Sequence, residues 1–249
     1  MAFEFKSFAV HHDRSTMKVG TDAILLGTWA SHPEPRTILD VGTGCGVIAL
    51  MLAQRFPTAC VHAIEPHMPS VLQARENIAS SPWADRVTCF AETLQSFAQS
   101  MQYDLIVCNP PFFHGGPLPP QASRRDARHT TRLPWTDLCL AASRLLTKRG
   151  TFCVVLPHAG KPDFHASATA TGLHLERHCE IRGLPDRPVR RTLLQYGSQP
   201  TPEPIIDQLT IERRRHEYTP RYAALTGNFL LRTPDSSELT GRTRNRNSD

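Results

Sequence analysis

The chain has 249 residues, of which 40% are hydrophobic, with a formal net charge of +5 and a sequence pI near 9.0. That length supports one large α/β domain with a buried core of its own, and the mild basic excess points towards a nucleic-acid partner. Seven cysteines (45, 60, 89, 108, 139, 153 and 179) without a CxxC pair argue against a disulfide framework or a zinc cluster. Neither a signal-peptide pattern nor a run of about 18 apolar residues occurs, so a cytoplasmic protein with no membrane contact is expected.

Residues 1–31 read as a cap segment, with a strand in "FEFKSFAV" and a short helix in "TDAILLGTWA". From residue 32, "TILDV" (37–41), "CVHAI" (60–64), "RVTCF" (86–90), "YDLIVC" (103–108) and "TFCVVL" (151–156) have the short apolar runs of buried strands. Between them, "GVIALMLAQRF", "MPSVLQARENIAS", "TLQSFAQSM" and "WTDLCLAASRLLTKR" carry apolar residues at helical spacing. Strict alternation implies right-handed crossovers and a parallel sheet covered on both faces, a doubly wound Rossmann-like α/β fold. A further helix at about 162–171 leads to "LHLERHCEI" and "VRRTLLQYG", an antiparallel terminal pair that completes a seven-stranded sheet with its last strand antiparallel. The core is thus 32–200, and "IDQLTIERRR" and "PRYAALTGNFLL" add a strand and a closing helix over 201–232. Residues 1–232 form a single domain in this reading, and the polar, aperiodic 233–249 a disordered tail.

Two stretches carry chemistry. In "ILDVGTGCGVIAL", Asp40 ends a strand, and Gly42, Gly44 and Gly46, with Thr43 between, form the turn that opens a helix. Glycines there permit a tight turn and close approach of backbone to a ligand. The spacing is GxGxG, unlike the GxGxxG of the dinucleotide fingerprint. Asp40 would repel a pyrophosphate but could accept from a cationic amino-acid group, while Glu65, at the end of the second strand, is placed for ribose hydroxyls. S-adenosylmethionine has both features; a dinucleotide or a purely structural turn are the alternatives. Glu92, after the third strand, is placed to meet the adenine amine of that cofactor or to cap the following helix.

The second stretch is "NPPFF", residues 109–113, ending the fourth strand across the topological switch point from the glycine turn. Asn109 offers a side-chain oxygen, and Pro110 a carbonyl with no N–H of its own, so both can accept from an exocyclic amine. Consecutive prolines Pro110 and Pro111 hold these acceptors without reorganisation. Phe112 can stack on a planar base, and Phe113 can pack beneath it. The plain alternative is a rigid turn capped by core phenylalanines.

The pair "DVGTGCG" and "NPPF" resembles the amino-methyltransferases of class I, which use S-adenosylmethionine on adenine, guanine or glutamine amides. More closely, "HHDRSTMKVGTDAILLGTWA", "QARENIASSPWADRV", "YDLIVCNPPFF", "RHTTRL" and "YTPRYAALTGNFLL" resemble the bacterial tRNA(Val) adenine-N6 methyltransferase family, over nearly the whole chain up to about residue 232. That resemblance implies methylation of the adenine 3′ of the anticodon, position 37. It also implies that "MKVGTD" closes over the cofactor, with Lys18, Gly20, Thr21 and Asp22 near cofactor or base. Proline and histidine follow Glu65 in this chain, and Glu92 stands where that family more often has aspartate.

Arginines cluster at 123–132, 182–191 and 212–215. By the expected topology, the turn of the terminal strand pair brings Arg182, Arg187, Arg190 and Arg191 to the same edge as the cofactor, and the segment after Phe113 adds Arg124, Arg125, Arg128 and His129. Such a rim would grip phosphates of a tRNA anticodon loop, whose unstacked bases a shallow pocket can accept. A monomer without a metal is expected, because His11, His12, His62 and His67 follow no ligand spacing. Methylation of a protein glutamine or an rRNA guanine, and a non-catalytic RNA-binding module, are the other readings.

Overall fold

The computed structural model describes residues 2–97, 101–110 and 133–231. The expectation for 233–249 lies outside them. "FEFKSFAV" forms no single strand. Instead β1 (Ala2–Glu4) pairs antiparallel with β2 (Ala9–His11), and the Phe5 N–H donates to the Phe8 carbonyl at 2.9 Å to close the turn. The Phe5 and Phe8 rings stack at 4.4 Å while the polar Lys6 and Ser7 stay at the exposed tip, which is why the run bends.

After α1 (Thr21–Trp29) come β3 (Thr37–Val41), α2 (Val47–Arg55), β4 (Cys60–Ile64), α3 (Met68–Ala79), β5 (Val87–Phe90) and β6 (Tyr103–Cys108). There follow α4 (Trp135–Leu145), β7 (Leu146–Pro157), α5 (Lys161–Ala170), β8 (His174–Arg182) and β9 (Arg191–Gly197). The order β10-β8-β9-β7-β6-β3-β4-β5 makes one eight-stranded sheet, parallel except for β9. The sequence predicts seven strands. The eighth, β10 (Ile205–Thr210), adds in parallel to the edge of β8, so the antiparallel strand is the last of the core but not the last of the sheet. A small hairpin, β11 (Glu212–Arg214) and β12 (Glu217–Tyr218), and α6 (Pro220–Thr226) end the described chain.

Side chains alternate faces along each strand. Leu105, Val107, Cys153 and Val155 pack with α1, α2, α3 and α6 on one face; Ile106, Cys108, Phe152 and Val154 pack with α4 and α5 on the other. Burial on both faces explains the unbroken apolar runs. One expected helix does not form in its described part: residues 93–97 of "TLQSFAQSM" are a turn. Thr93 and Ser96 satisfy each other's backbone, with Thr93 N–H donating to Ser96 Oγ and Ser96 N–H to Thr93 Oγ1, a local alternative to helical bonding.

Arg86 closes the C-terminal end of α2, donating to the carbonyls of Ala53, Phe56 and Ala59 at 2.9, 3.3 and 2.6 Å. Charge-assisted bonds to orphan helix carbonyls stabilise that end. Arg86→Met is therefore expected to lower the unfolding free energy by about 2 kcal/mol, read from urea melts.

Candidate functional site

The crevice is built by the β3 to α2 connection. Gly42, Gly44 and Gly46 have φ of 70°, 57° and 86°, all in the left-handed region that L side chains avoid. The turn is anchored from behind: the N–H groups of Gly42 and Thr43 both donate to the Ile64 carbonyl, at 2.9 and 3.1 Å. A Cβ on Gly42 would meet nothing within 4 Å, so the backbone there borders open space. Asp40 is buried, and its Oδ2 accepts from Thr43 Oγ1 at 2.5 Å and from the Ala49 N–H at 3.1 Å. Burial pushes its carboxyl up to about 7, partly countered by those two bonds, with Glu65 adding a small upward push.

Glu65 is also buried, and each of its oxygens braces backbone: Oε2 accepts from the Gly44 N–H at 3.0 Å and Oε1 from the His67 N–H at 2.9 Å. Each oxygen retains a lone pair, so the same carboxylate can still accept from a diol. Glu92 lies just past β5, partly exposed, and no described helix starts at it.

A polar stripe on α3 escapes a reading based on apolar periodicity. Ser70, Gln73 and Asn77 are all buried and hold the segment before α1 over the glycine turn. Asn77 Oδ1 accepts from the His11 N–H and its amide donates to the His11 and Cys45 carbonyls; Gln73 Oε1 accepts from the Arg14 N–H; Ser70 Oγ accepts from the Thr16 N–H at 3.3 Å. Ser15 Oγ stands 3.1 Å from where a Cβ on Gly44 would be, and it is buried without a partner among the described residues. The signal was available as polar residues at i, i+3 and i+7.

At the end of β6, the register pairing Val41 with Cys108 brings Asn109 alongside Gly42. Pro110 is buried, and Asn109 Oδ1 is buried with no hydrogen-bond partner among the described residues. An unpaired buried acceptor is costly, and this one can still accept a hydrogen bond. Pro111, Phe112, Phe113, Arg124, Arg125, Arg128 and His129 lie outside the described residues.

The rim is partly different from expectation. Both β8 and β10 end at this edge and β9 begins there, so Arg182, Arg190 and Arg191 do stand on it. Asp22, expected near the cofactor, is clasped by Arg191, whose Nε donates to both carboxylate oxygens at 3.0 and 2.9 Å. Thr21 and Gly20 open α1 along a groove with Tyr218 and Tyr222, while Lys18 is exposed. Of the expected set, Asp40, Gly42, Thr43, Gly44, Gly46, Glu65 and Asn109 converge on one crevice.

The histidines have ordinary partners: His12 Nδ1 accepts from the Val19 N–H at 3.0 Å, His62 Nδ1 meets the Tyr103 hydroxyl at 2.8 Å, and His67 Nδ1 meets Ser70 Oγ at 2.8 Å. Among the described residues no cluster of three or more metal-ligating side chains occurs, and no helix is long and apolar enough to cross a membrane.

The family model of the methyltransferase small domain matches residues 14–163. The tRNA1(Val) (adenine(37)-N6)-methyltransferase of Phocaeicola vulgatus is 43% identical over 229 residues, covering 92% of this chain and 97% of that one. This chain belongs to that methyltransferase family. The protein of the same name from Serratia proteamaculans is 39% identical over 92% of this chain and 89% of its own. In fold, this methyltransferase resembles the crystal structure of a predicted O-methyltransferase from Agrobacterium tumefaciens, with a TM-score of 0.65 at 18% identity over 84% of this chain and 96% of that one.

The cofactor of the methyltransferase is S-adenosylmethionine, and the crevice fits it. Three left-handed glycines leave alternate positions of the turn without side chains, and a buried carboxylate at Asp40 keeps Oδ1 without a hydrogen bond from any described residue. Glu65 faces the turn from the next strand.

Proposed function

We propose that this methyltransferase methylates the exocyclic N6 of an adenine in tRNA, adenine 37 beside the anticodon of tRNA(Val), as a cytoplasmic monomer that recognises the anticodon loop. One observation carries the reading: Asn109 Oδ1 sits buried and unpartnered at the mouth of the glycine turn, an acceptor waiting for an N–H. The names of relatives 37–43% identical over 92% of the chain support the choice of substrate.

An adenine amine is a weak nucleophile because its lone pair is delocalised into the ring. Asn109 Oδ1 and the Pro110 carbonyl accept its two hydrogens and hold the nitrogen with its lone pair facing the glycine turn. Proline at 110 has no N–H to compete, and its ring fixes the backbone, so the acceptors are in place before the base arrives. Asp40 would hold the cationic α-amine of the cofactor and Glu65 its ribose. Bound S-adenosylmethionine supplies the methyl group as an electrophile on a sulfonium. Positioning at about 3 Å in line supplies much of the rate, with no covalent nucleophile.

Incubating the protein with S-adenosylmethionine and unmodified tRNA(Val) transcript should yield N6-methyladenosine at one nucleotide, mapped by nuclease digestion and mass spectrometry. Label found on a protein glutamine or an rRNA guanine instead would overturn the reading.

A further inference from the structure

Away from the crevice, a groove of 430 Å³ opens between β1, the start of α1, β12 and α6. Its walls are apolar and aromatic, with Phe3, Val19, Tyr218 and Tyr222 among them, and the two tyrosine rings lie 4.9 Å apart at 51°. Tyr222 is only 3% exposed, yet its hydroxyl has no hydrogen-bond partner among the described residues. That hydroxyl still reaches solvent, so it can donate to or accept from a ligand. Two further polar features face the same space. Glu4 brings a carboxylate acceptor, and α1 begins there at Gly20, which supplies no side-chain cap to the first-turn N–H groups.

The charge around the groove indicates the occupant. Tyr218 closes the β11–β12 hairpin, which carries Arg213, Arg214 and Arg215 exposed in succession; Glu217 pairs with the first two and orients them. The hairpin is fastened to the active edge, because the Ile211 N–H donates to the Arg182 carbonyl and the Glu212 N–H to the Gly183 carbonyl, both at 2.9 Å. It therefore stands beside the turn bearing Arg187 and Arg190. The groove also shares the start of α1 with the crevice edge through the Asp22–Arg191 clasp. Arg191 opens β9, which lies two strands from β6, about 10 Å at the usual strand spacing.

An aromatic slot with a few polar handles and a cationic lip suits a flat, hydrogen-bonding base attached to a phosphate, and the volume is that of a small-ligand site. We propose that the groove is a second nucleotide-binding site, which takes an unstacked base from the same RNA loop as the target while the arginine hairpin holds the adjoining phosphates. This rests on the tRNA reading above. It adds that the enzyme reads a second loop nucleotide besides the one it methylates.

The test uses a stem-loop RNA made abasic at one loop position at a time, with affinity measured by fluorescence anisotropy for the wild type, Tyr218→Ala and a groove-filling Leu231→Trp. At one position other than the target adenine, loss of the base should weaken the wild type about tenfold and leave both variants unaffected, since the variants have already lost that contact. Unchanged S-adenosylmethionine affinity by calorimetry shows that the variants are folded. If abasic effects and groove variants combine additively at every position, this inference is wrong although the wild type still methylates the loop. If the wild type neither binds nor methylates the RNA, the tRNA reading itself has failed.

Discussion

Asn109→Ala is expected to slow methyl transfer about 10²–10³-fold in single-turnover assays at saturating cofactor and RNA, the size of effect seen when one preorganised polar group is removed from a reacting centre. The structure supplies the reason: Oδ1 is buried, unpartnered and placed beside Gly42 by the register of β3 and β6. Alanine leaves the β6 strand and the Pro110 carbonyl in place but removes one of two acceptors, so the amine is no longer held with its lone pair towards the methyl group. Affinity for S-adenosylmethionine, measured by calorimetry, should change far less than the rate. A single-turnover rate within threefold of wild type would remove Asn109 from the reaction.

The second large effect is a proton linkage at Asp40. Burial raises its carboxyl to about 7 in the free protein, so below that pH it is neutral, whereas a cationic amine requires it ionised. Cofactor binding then releases a proton, and affinity falls tenfold for each pH unit below 7. Between pH 7.5 and pH 5 the expected weakening is about 50–100-fold, close to the fraction of Asp40 ionised at each pH. Calorimetry in buffers of different ionisation enthalpy should show nearly one proton released at pH 6, and Asp40→Asn should abolish both the release and the slope. The sign reverses for the empty fold. A raised acid pKa favours the neutral form on folding, so stability of the free protein declines as pH rises from about 4 to 7, and Asp40→Asn should flatten that decline in thermal melts. Affinity independent of pH across this range would show that Asp40 does not meet the amine.

The legible parts of the fold are those that depend on neighbours in sequence. β3, β4, β6 and the middle of β7 show as apolar runs because each is covered on both faces, and the intervening helices show as 3.6-residue patterns. The expectations failed where a few polar atoms outvote the pattern. Lys6 and Ser7 turn the first strand into a hairpin, and the Thr93–Ser96 pair replaces a helical turn with a local one. The Asp22–Arg191 clasp joins residues 169 apart, and nothing at position 22 signals a partner so distant.

By itself the sequence determined the doubly wound sheet, the glycine turn with Asp40 and Glu65, and the Asn-Pro terminus of β6, because strand burial, left-handed backbone and missing N–H groups are properties of residue type and spacing. Only the tertiary structure decided that β10 extends the sheet, that Ser70, Gln73 and Asn77 hold the cap segment against the glycine turn, and that the arginine hairpin stands on the active edge beside an aromatic groove. These depend on which distant backbone groups find each other once the core closes. That choice is made by long-range pairing energies and is not written in any local window of the chain.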